Sequence, residues 1–132
     1  MFHEAIEWVI EEVFHMFHAT QLAEHGGGEG IRDQEMLESA LNRPKQLSDD
    51  GCPFVDLCQL AAVYAFGLAK NHPFIDGNKR TAAITCELFL NRNGRIFTIG
   101  EIEKYLHHLA LAAGEHTEES FAGWLRTVTH DG

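Results

Sequence analysis

The chain has 132 residues and an apolar content of 45%, which suits one compact globular domain over residues 1–132. Its net charge of −10 argues against a general nucleic-acid binder, which would present a basic face. No apolar run reaches membrane-spanning length and the first residues are acidic and amphipathic, unlike a secretion signal, while Cys52, Cys58 and Cys86 are odd in number and lack C-x-x-C spacing, so reduced thiols in a cytoplasmic protein are expected.

Residues 6–10 form a short apolar stretch compatible with a strand or with the start of a helix. From 11 to 24, Val13, Phe14, Phe17 and Leu22 recur at helical spacing, with His15 and His18 beside that stripe in packing roles. Gly26-Gly27-Gly28 ends this helix without strain. Asp33 is a good N-cap for a helix over 34–43, with Met36, Leu37, Ala40 and Leu41 on its apolar face. Pro44 is expected to stop it. Residues 45–54 are polar, hold Asp49-Asp50-Gly51 and Pro53, and read as a loop. Residues 56–71 are the most apolar segment, and apolar residues on several faces predict a central helix. Ala82, Ala83, Ile84, Leu88, Phe89 and Leu90 make a second central helix, closed by Asn93-Gly94. A short extended piece is expected over 95–99, and an amphipathic helix over 101–113. Thr117, followed by Glu118 and Glu119, caps a last helix to about Val128. The fold class is therefore all-α, a bundle of about six helices with room for a short β element. Nine histidines invite a metal hypothesis, but neither H-E-x-x-H nor a Cys/His cluster is present, so most belong to surface or packing.

The chemistry concentrates in His72-Pro73-Phe74-Ile75-Asp76-Gly77-Asn78-Lys79-Arg80-Thr81, between the two central helices. His72 is a proton acceptor that titrates near neutrality. Pro73 stiffens the loop and Phe74 is apolar enough to anchor it. Asp76 is a hard oxygen ligand suited to magnesium. Gly77 lets backbone approach a ligand closely. Asn78, Lys79 and Arg80 fall in the first turn of the following helix, where free N–H groups and the dipole favour anions. Each residue has an ordinary alternative: a turn histidine, an Asp-Gly turn, a solvated Lys-Arg pair. Placement weighs against all three together, because lysine and arginine are electrostatically disfavoured in a first helical turn unless something negative sits there. Base, metal ligand, anion nest and paired cations are the parts that phosphoryl or nucleotidyl transfer needs.

This stretch resembles the signature of the Fic/Doc family, which runs His-x-Phe-x-Asp/Glu-Gly-Asn-Gly-Arg in its AMP-transferring branch. Lys79 stands where that branch has its second glycine, and Ala83 where it usually has a second arginine. Lysine followed by Arg80-Thr81-Ala82 is the form typical of the death-on-curing (Doc) branch, although Gly77 replaces an alanine of that branch's founding member. A second block, Gly26-Gly27, Gly30-Ile31-Arg32-Asp33 and Leu37-Glu38-Ser39-Ala40-Leu41-Asn42-Arg43-Pro44, is similar to Doc-like proteins, as are residues 88–94 and Trp124-Leu125. The resemblance runs from about His18 to Leu125.

The resemblance implies His72 as general base toward a protein hydroxyl. It implies Asp76 as the magnesium ligand, Gly77 and Asn78 as phosphate binders, and Lys79 and Arg80 as catalytic and phosphate-binding cations. It assigns residues 45–54 to a flap over the cleft, able to pair backbone with an extended target segment. The Doc branch binds ATP with its γ-phosphate forward. A protein kinase and growth-arresting toxin is thus implied, with elongation factor Tu as target and a Phd-like antitoxin laid across the cleft. AMP transfer and an inactive peptide-binding module are the alternatives, and no nucleic-acid or membrane partner is expected. An inhibitory Ser/Thr-x-x-x-Glu-Gly/Asn helix is matched only in part at 20–24, since His25 follows, so regulation in trans is expected.

Overall fold

Helix α2, Leu57–Asn71, occupies the middle of the protein in the computed structural model, which describes residues 6–9, 15, 19, 34–49, 56–71 and 78–132. From Cys58 to Ala69 every residue of α2 is buried except Gln59 and Phe66, which are half-buried. Such all-round burial requires partners on several sides. They are α1 (Gln34–Asp49), α3 (Asn78–Arg92) and α5 (Glu118–Val128), with α4 (Glu101–Ala112) across α2 and α3. Strands β1 (Arg95–Phe97) and β2 (Thr129–Asp131) pair antiparallel, with Ile96 opposite His130. The described residues thus comprise five helices and a two-stranded sheet, an all-α fold with a small β element. His15 and Ala19 are also helical, within the stretch where the sequence predicts a first helix.

Both central helices form where expected. Asp56 caps α2: its Oδ1 accepts the Gln59 N–H at 2.8 Å. Arg126 of α5 grips the same carboxylate, Nε to Oδ2 at 2.7 Å and a second nitrogen to Oδ1 at 3.2 Å. Burial by itself raises the Asp56 pKa, but the bonds from Arg126 and Gln59 outweigh it and hold the carboxyl below its ordinary value. Gly94, at φ 86°, ends α3, a conformation that glycine adopts without strain.

Helix α1 departs from the sequence reading. It does not stop at Pro44 but runs on to Asp49, so the expected loop at 45–49 is helical, while residues 50–55 lie outside the described part. A proline within a helix costs one N–H bond and about 3 kcal/mol. Here the apolar stripe continues through it: Leu37, Ala40 and Pro44 are buried, and Leu41 and Leu47 are half-buried against the same core. Packing against α2 outweighs the local penalty. The two helices approach closely at Gly67, where a Cβ would stand 3.3 Å from that of Ala40.

Residues 6–9 are neither strand nor helix. Side chains supply their backbone partners instead. Asn93 accepts the Glu7 N–H at 2.9 Å and donates to the Glu7 carbonyl at 3.0 Å, and the Val9 N–H donates to the Tyr64 hydroxyl at 3.3 Å. Trp8 stacks on Phe89, ring centroids 5.8 Å apart. Cys58 and Cys86 are free and buried, and Cys52 lies outside the described residues. No helix among the described residues is long and apolar enough to cross a membrane.

Helix α4 is amphipathic, as expected, but with an unusual inner face. Lys104, His108 and Leu111 are buried, whereas Ile102, Tyr105 and Leu106 are 77%, 63% and 56% exposed. Lys104 is satisfied by Glu87 at 2.9 Å and Glu101 at 2.6 Å and lies over the Phe97 ring. His108 Nδ1 has no hydrogen-bond partner among the described residues. Burial, with smaller contributions from His107 and Lys104, pushes its pKa from 6.5 down to about 4.

Two outcomes follow from this packing. Gly67→Val forces a branched side chain against Ala40 and should cost about 1–3 kcal/mol in a urea titration. His108 binds its proton more weakly folded than unfolded, so the stability it contributes is complete above about pH 6.5 and declines as pH falls toward 4. The loss is at most about 3 kcal/mol. His108→Leu should flatten the urea midpoint over that window; an unchanged acid limb would remove His108 as its source.

Candidate active site

Residues 72–77, with the expected base His72, the expected magnesium ligand Asp76 and Gly77, lie outside the described residues. Their frame is described: the last turn of α2 on one side and the first turn of α3 on the other. Helices α2 and α3 pack along one another.

Asn78, Lys79 and Arg80 form the first turn of α3, as the sequence predicts. Their orientation follows from the residues behind them. Thr81, Ala82, Thr85, Cys86, Phe89 and Leu90 are buried, which turns Lys79 and Arg80 to solvent and leaves Asn78 half-buried. No acid stands in this first turn. Neither cation forms an ion pair among the described residues. The positive end of the helix macrodipole and two side-chain charges therefore coincide, in a protein of net charge −10. An anion at this point would meet the N-terminal end of a helix, a point charge from lysine and a planar donor fork from arginine.

Two residues that the sequence reading did not single out hold the other side of the loop. Asn71 closes α2, and its Nδ2 donates to the Met36 carbonyl in the first turn of α1 at 3.1 Å. Lys70 lies over Phe66, 5.9 Å from the ring centroid, and its Nζ donates to the Ala112 carbonyl at the end of α4 at 3.4 Å. A cation at that position satisfies an orphan carbonyl and the negative end of the α4 dipole. The path into His72 is thus anchored to α1 and to α4. The signal was present, a lysine and an asparagine in a final helical turn, but their partners are remote in sequence.

Among the described residues no group of three or more His, Cys, Asp or Glu side chains could hold a metal ion. The expected flap is partly redrawn: 45–49 belong to α1 and the rest lies outside the described residues. Arg32 and the partial inhibitory match at 20–24 lie outside them as well.

A family model described as the Fic/DOC family matches residues 8–90, which include α1, α2, the loop and most of α3. The chain is 33% identical over 112 residues to the protein kinase doc of Escherichia phage P1, covering 84% of this chain and 86% of that protein. It is 38% identical over 69 residues to the toxin Doc of Mycolicibacterium smegmatis, covering 52% of this chain and 53% of that one.

Lys70→Met keeps the aliphatic stem over Phe66 and deletes the bond to Ala112. It should lower stability by about 1 kcal/mol and speed amide exchange of Ala113, Gly114 and Glu115, whose N–H groups close the end of α4. Unchanged exchange at those amides would mean that the lysine anchors nothing.

Proposed function

The chain belongs to the Fic/Doc family, and on that premise we propose that it is a Doc-like toxin that transfers the γ-phosphate of ATP to a hydroxyl on a protein target. The observation that carries this reading is the first turn of α3: Lys79 and Arg80 exposed, no acid in that turn, directly after the segment that holds His72 and Asp76.

In this reading His72 takes the proton from a serine, threonine or tyrosine hydroxyl of the target. The hydroxyl oxygen forms its bond to the γ-phosphorus as the bond from that phosphorus to the bridging oxygen breaks, and ADP leaves. Gly77, Asn78 and the N–H groups of the helix start bind phosphate oxygens. Lys79 and Arg80 neutralise charge on the phosphates as it shifts to the leaving group. Magnesium, when bound, would neutralise phosphate charge, and Asp76 is the carboxylate that would hold it. Such a reaction depends on positioning and electrostatics, which suits a site whose described part is a rigid helix end.

Phosphate transfer is favoured over AMP transfer by two side chains. Lys79 is a long cation where the AMP-transferring signature has glycine, and Ala83, half-buried on α3, offers no guanidinium to hold a deeper triphosphate. The name of the phage P1 relative, protein kinase doc, supports the same choice. Elongation factor Tu is the proposed target, with arrest of translation as the consequence, and a Phd-like antitoxin the proposed partner. The proposed location is the cytoplasm, where such a target resides.

The test uses ATP labelled on either phosphate, with candidate target protein. Wild type should transfer the γ-label, and His72→Ala should lower that transfer roughly 100-fold or more with the fold intact. Lys79→Gly should depress phosphorylation by more than it depresses ATP binding, because the pose and not the affinity is lost. Transfer of the α-label by wild type would overturn the kinase reading. A Lys79→Gly variant that phosphorylates at the wild-type rate would remove the lysine from it.

A further inference from the structure

The corner between α4 and α5 is built around histidines. His107 lies flat on Trp124, ring centroids 4.0 Å apart and 8° from parallel. Its Nδ1 stands 3.0 Å from Nε2 of His116. The ring centroids of this pair are 5.2 Å apart, close to the nitrogen separation extended by a ring radius at each end. The two nitrogens therefore point at one another along one line. A metal ion needs its donors to converge on a point to the side of that line, whereas a shared proton needs this alignment. On its far side His116 presents Nδ1 to Ser120 Oγ at 2.8 Å. That hydroxyl accepts the Thr117 N–H at 2.9 Å and lies 3.2 Å from the Thr117 carbonyl, to which it donates.

We propose that the His107–His116 pair is a one-proton latch on the α4–α5 corner, closed while the pair carries no more than one charge and released when both rings are charged. The proton count requires it. With both rings neutral, one N–H lies between the facing nitrogens and the bond forms. One added proton is accommodated on His116: Nε2–H donates to His107, Nδ1–H donates to Ser120 Oγ, and the serine hydroxyl donates to the Thr117 carbonyl. The two facing nitrogens, His116 Nδ1 and the serine hydroxyl all still have partners. A second proton puts N–H on both facing nitrogens. The bond is then lost, and two positive charges confront each other at hydrogen-bonding distance.

The surroundings do not cancel that repulsion. On α4 stand Lys104, already paired with Glu87 and Glu101, the buried His108, which is held neutral, and Glu103, one turn before His107 but exposed, where water screens its charge. In the connecting turn Glu115 favours charge on His116, but burial and His107 outweigh it and lower the His116 pKa. On α5, Glu118 is engaged by Arg43 of α1, with one nitrogen 3.1 Å from Oε1, and Glu119 is exposed. From α2, Lys70 adds a positive charge at the Ala112 carbonyl. Phe121 and Trp124 supply ring faces and edges, which tolerate a single imidazolium. The open corner binds more protons than the closed one, so acid favours opening. Because Lys70 grips the same corner two residues before His72, opening also releases one anchor of the loop. A consequence for transfer rests on the reading above; the latch itself does not.

The experiment is a pH titration of the full chain with 15N-labelled imidazoles, alongside protection factors of the Ala113, Gly114 and Glu115 amides. His107 and His116 should take up protons in two separated steps. Protection at the three amides should fall about tenfold with the second step, the scale of one lost hydrogen bond. His116→Gln and His107→Phe, the latter keeping a ring on Trp124, each leave no second charge, so both should lose the acid-induced fall. His108→Leu should retain it. Independent single-step titration of the two rings would overturn the latch. So would a fall that persists in both pair variants, or one that disappears only in His108→Leu.

Discussion

Helix α2 has almost no face left for water, and the rest of the molecule is arranged to satisfy it. Its burial supplies the main apolar driving force, yet each of its ends carries backbone groups that cannot be left unpaired. Asp56 and Arg126 resolve the N-terminal end, joining it to α5. Asn71 and Lys70 tie the C-terminal end to α1 and α4. The side chains that fix the central helix therefore also fix the point where the chain enters residues 72–77. A site built on such ends inherits their rigidity, as transfer chemistry requires of its positioning groups.

Charge is distributed with the same economy. The protein is strongly acidic, and four of its described cations are committed to ion pairs: Arg43 to Glu118, Arg95 to Asp131, Lys104 to Glu87 and Glu101, Arg126 to Asp56. Lys79 and Arg80 form no ion pair among the described residues, and they sit where a helix least tolerates positive charge without an anion. Exposed ion pairs add little to stability. The significance of these two cations lies in what they can hold, and phosphate oxygens are the natural match.

The inner face of α4 shows how tertiary context selects among faces of one helix. Ile102, Tyr105 and Leu106 would make an acceptable buried stripe, yet Lys104 and His108 point inward. The reason is the neighbours. Glu87 of α3 and Glu101 surround the lysine head, the Phe97 ring lies beneath it, and the Phe121 edge meets His108 at 5.1 Å. Ion pairs to Glu87 and Glu101 make burial of the lysine tolerable, while His108 is buried in its neutral form. They also place histidines 107, 108 and 116 in one aromatic corner, which gives that end of the molecule its sensitivity to acid.

Local sequence determined a great deal. Apolar density identified α2 and α3, Asn93-Gly94 stopped α3, Thr117 with its acids opened α5, and the loop between the central helices carried a signature specific enough to name a family. Each of these features acts over a few residues, through periodicity, capping and turn chemistry, and is therefore legible without a structure. Contacts between distant residues decided the remainder. Pro44 is carried through α1 because Leu37, Ala40 and Leu47 pack on α2, a gain that no local propensity registers. Residues 6–9 avoid both strand and helix because Asn93 and Tyr64 satisfy their backbone across the fold. Lys70 and Asn71 became anchors of the site through carbonyls on α4 and α1. Likewise, the pairing of His107 with His116 depends on how α4 and α5 meet, a geometry set by burial of Phe121 and Leu125 in the shared core.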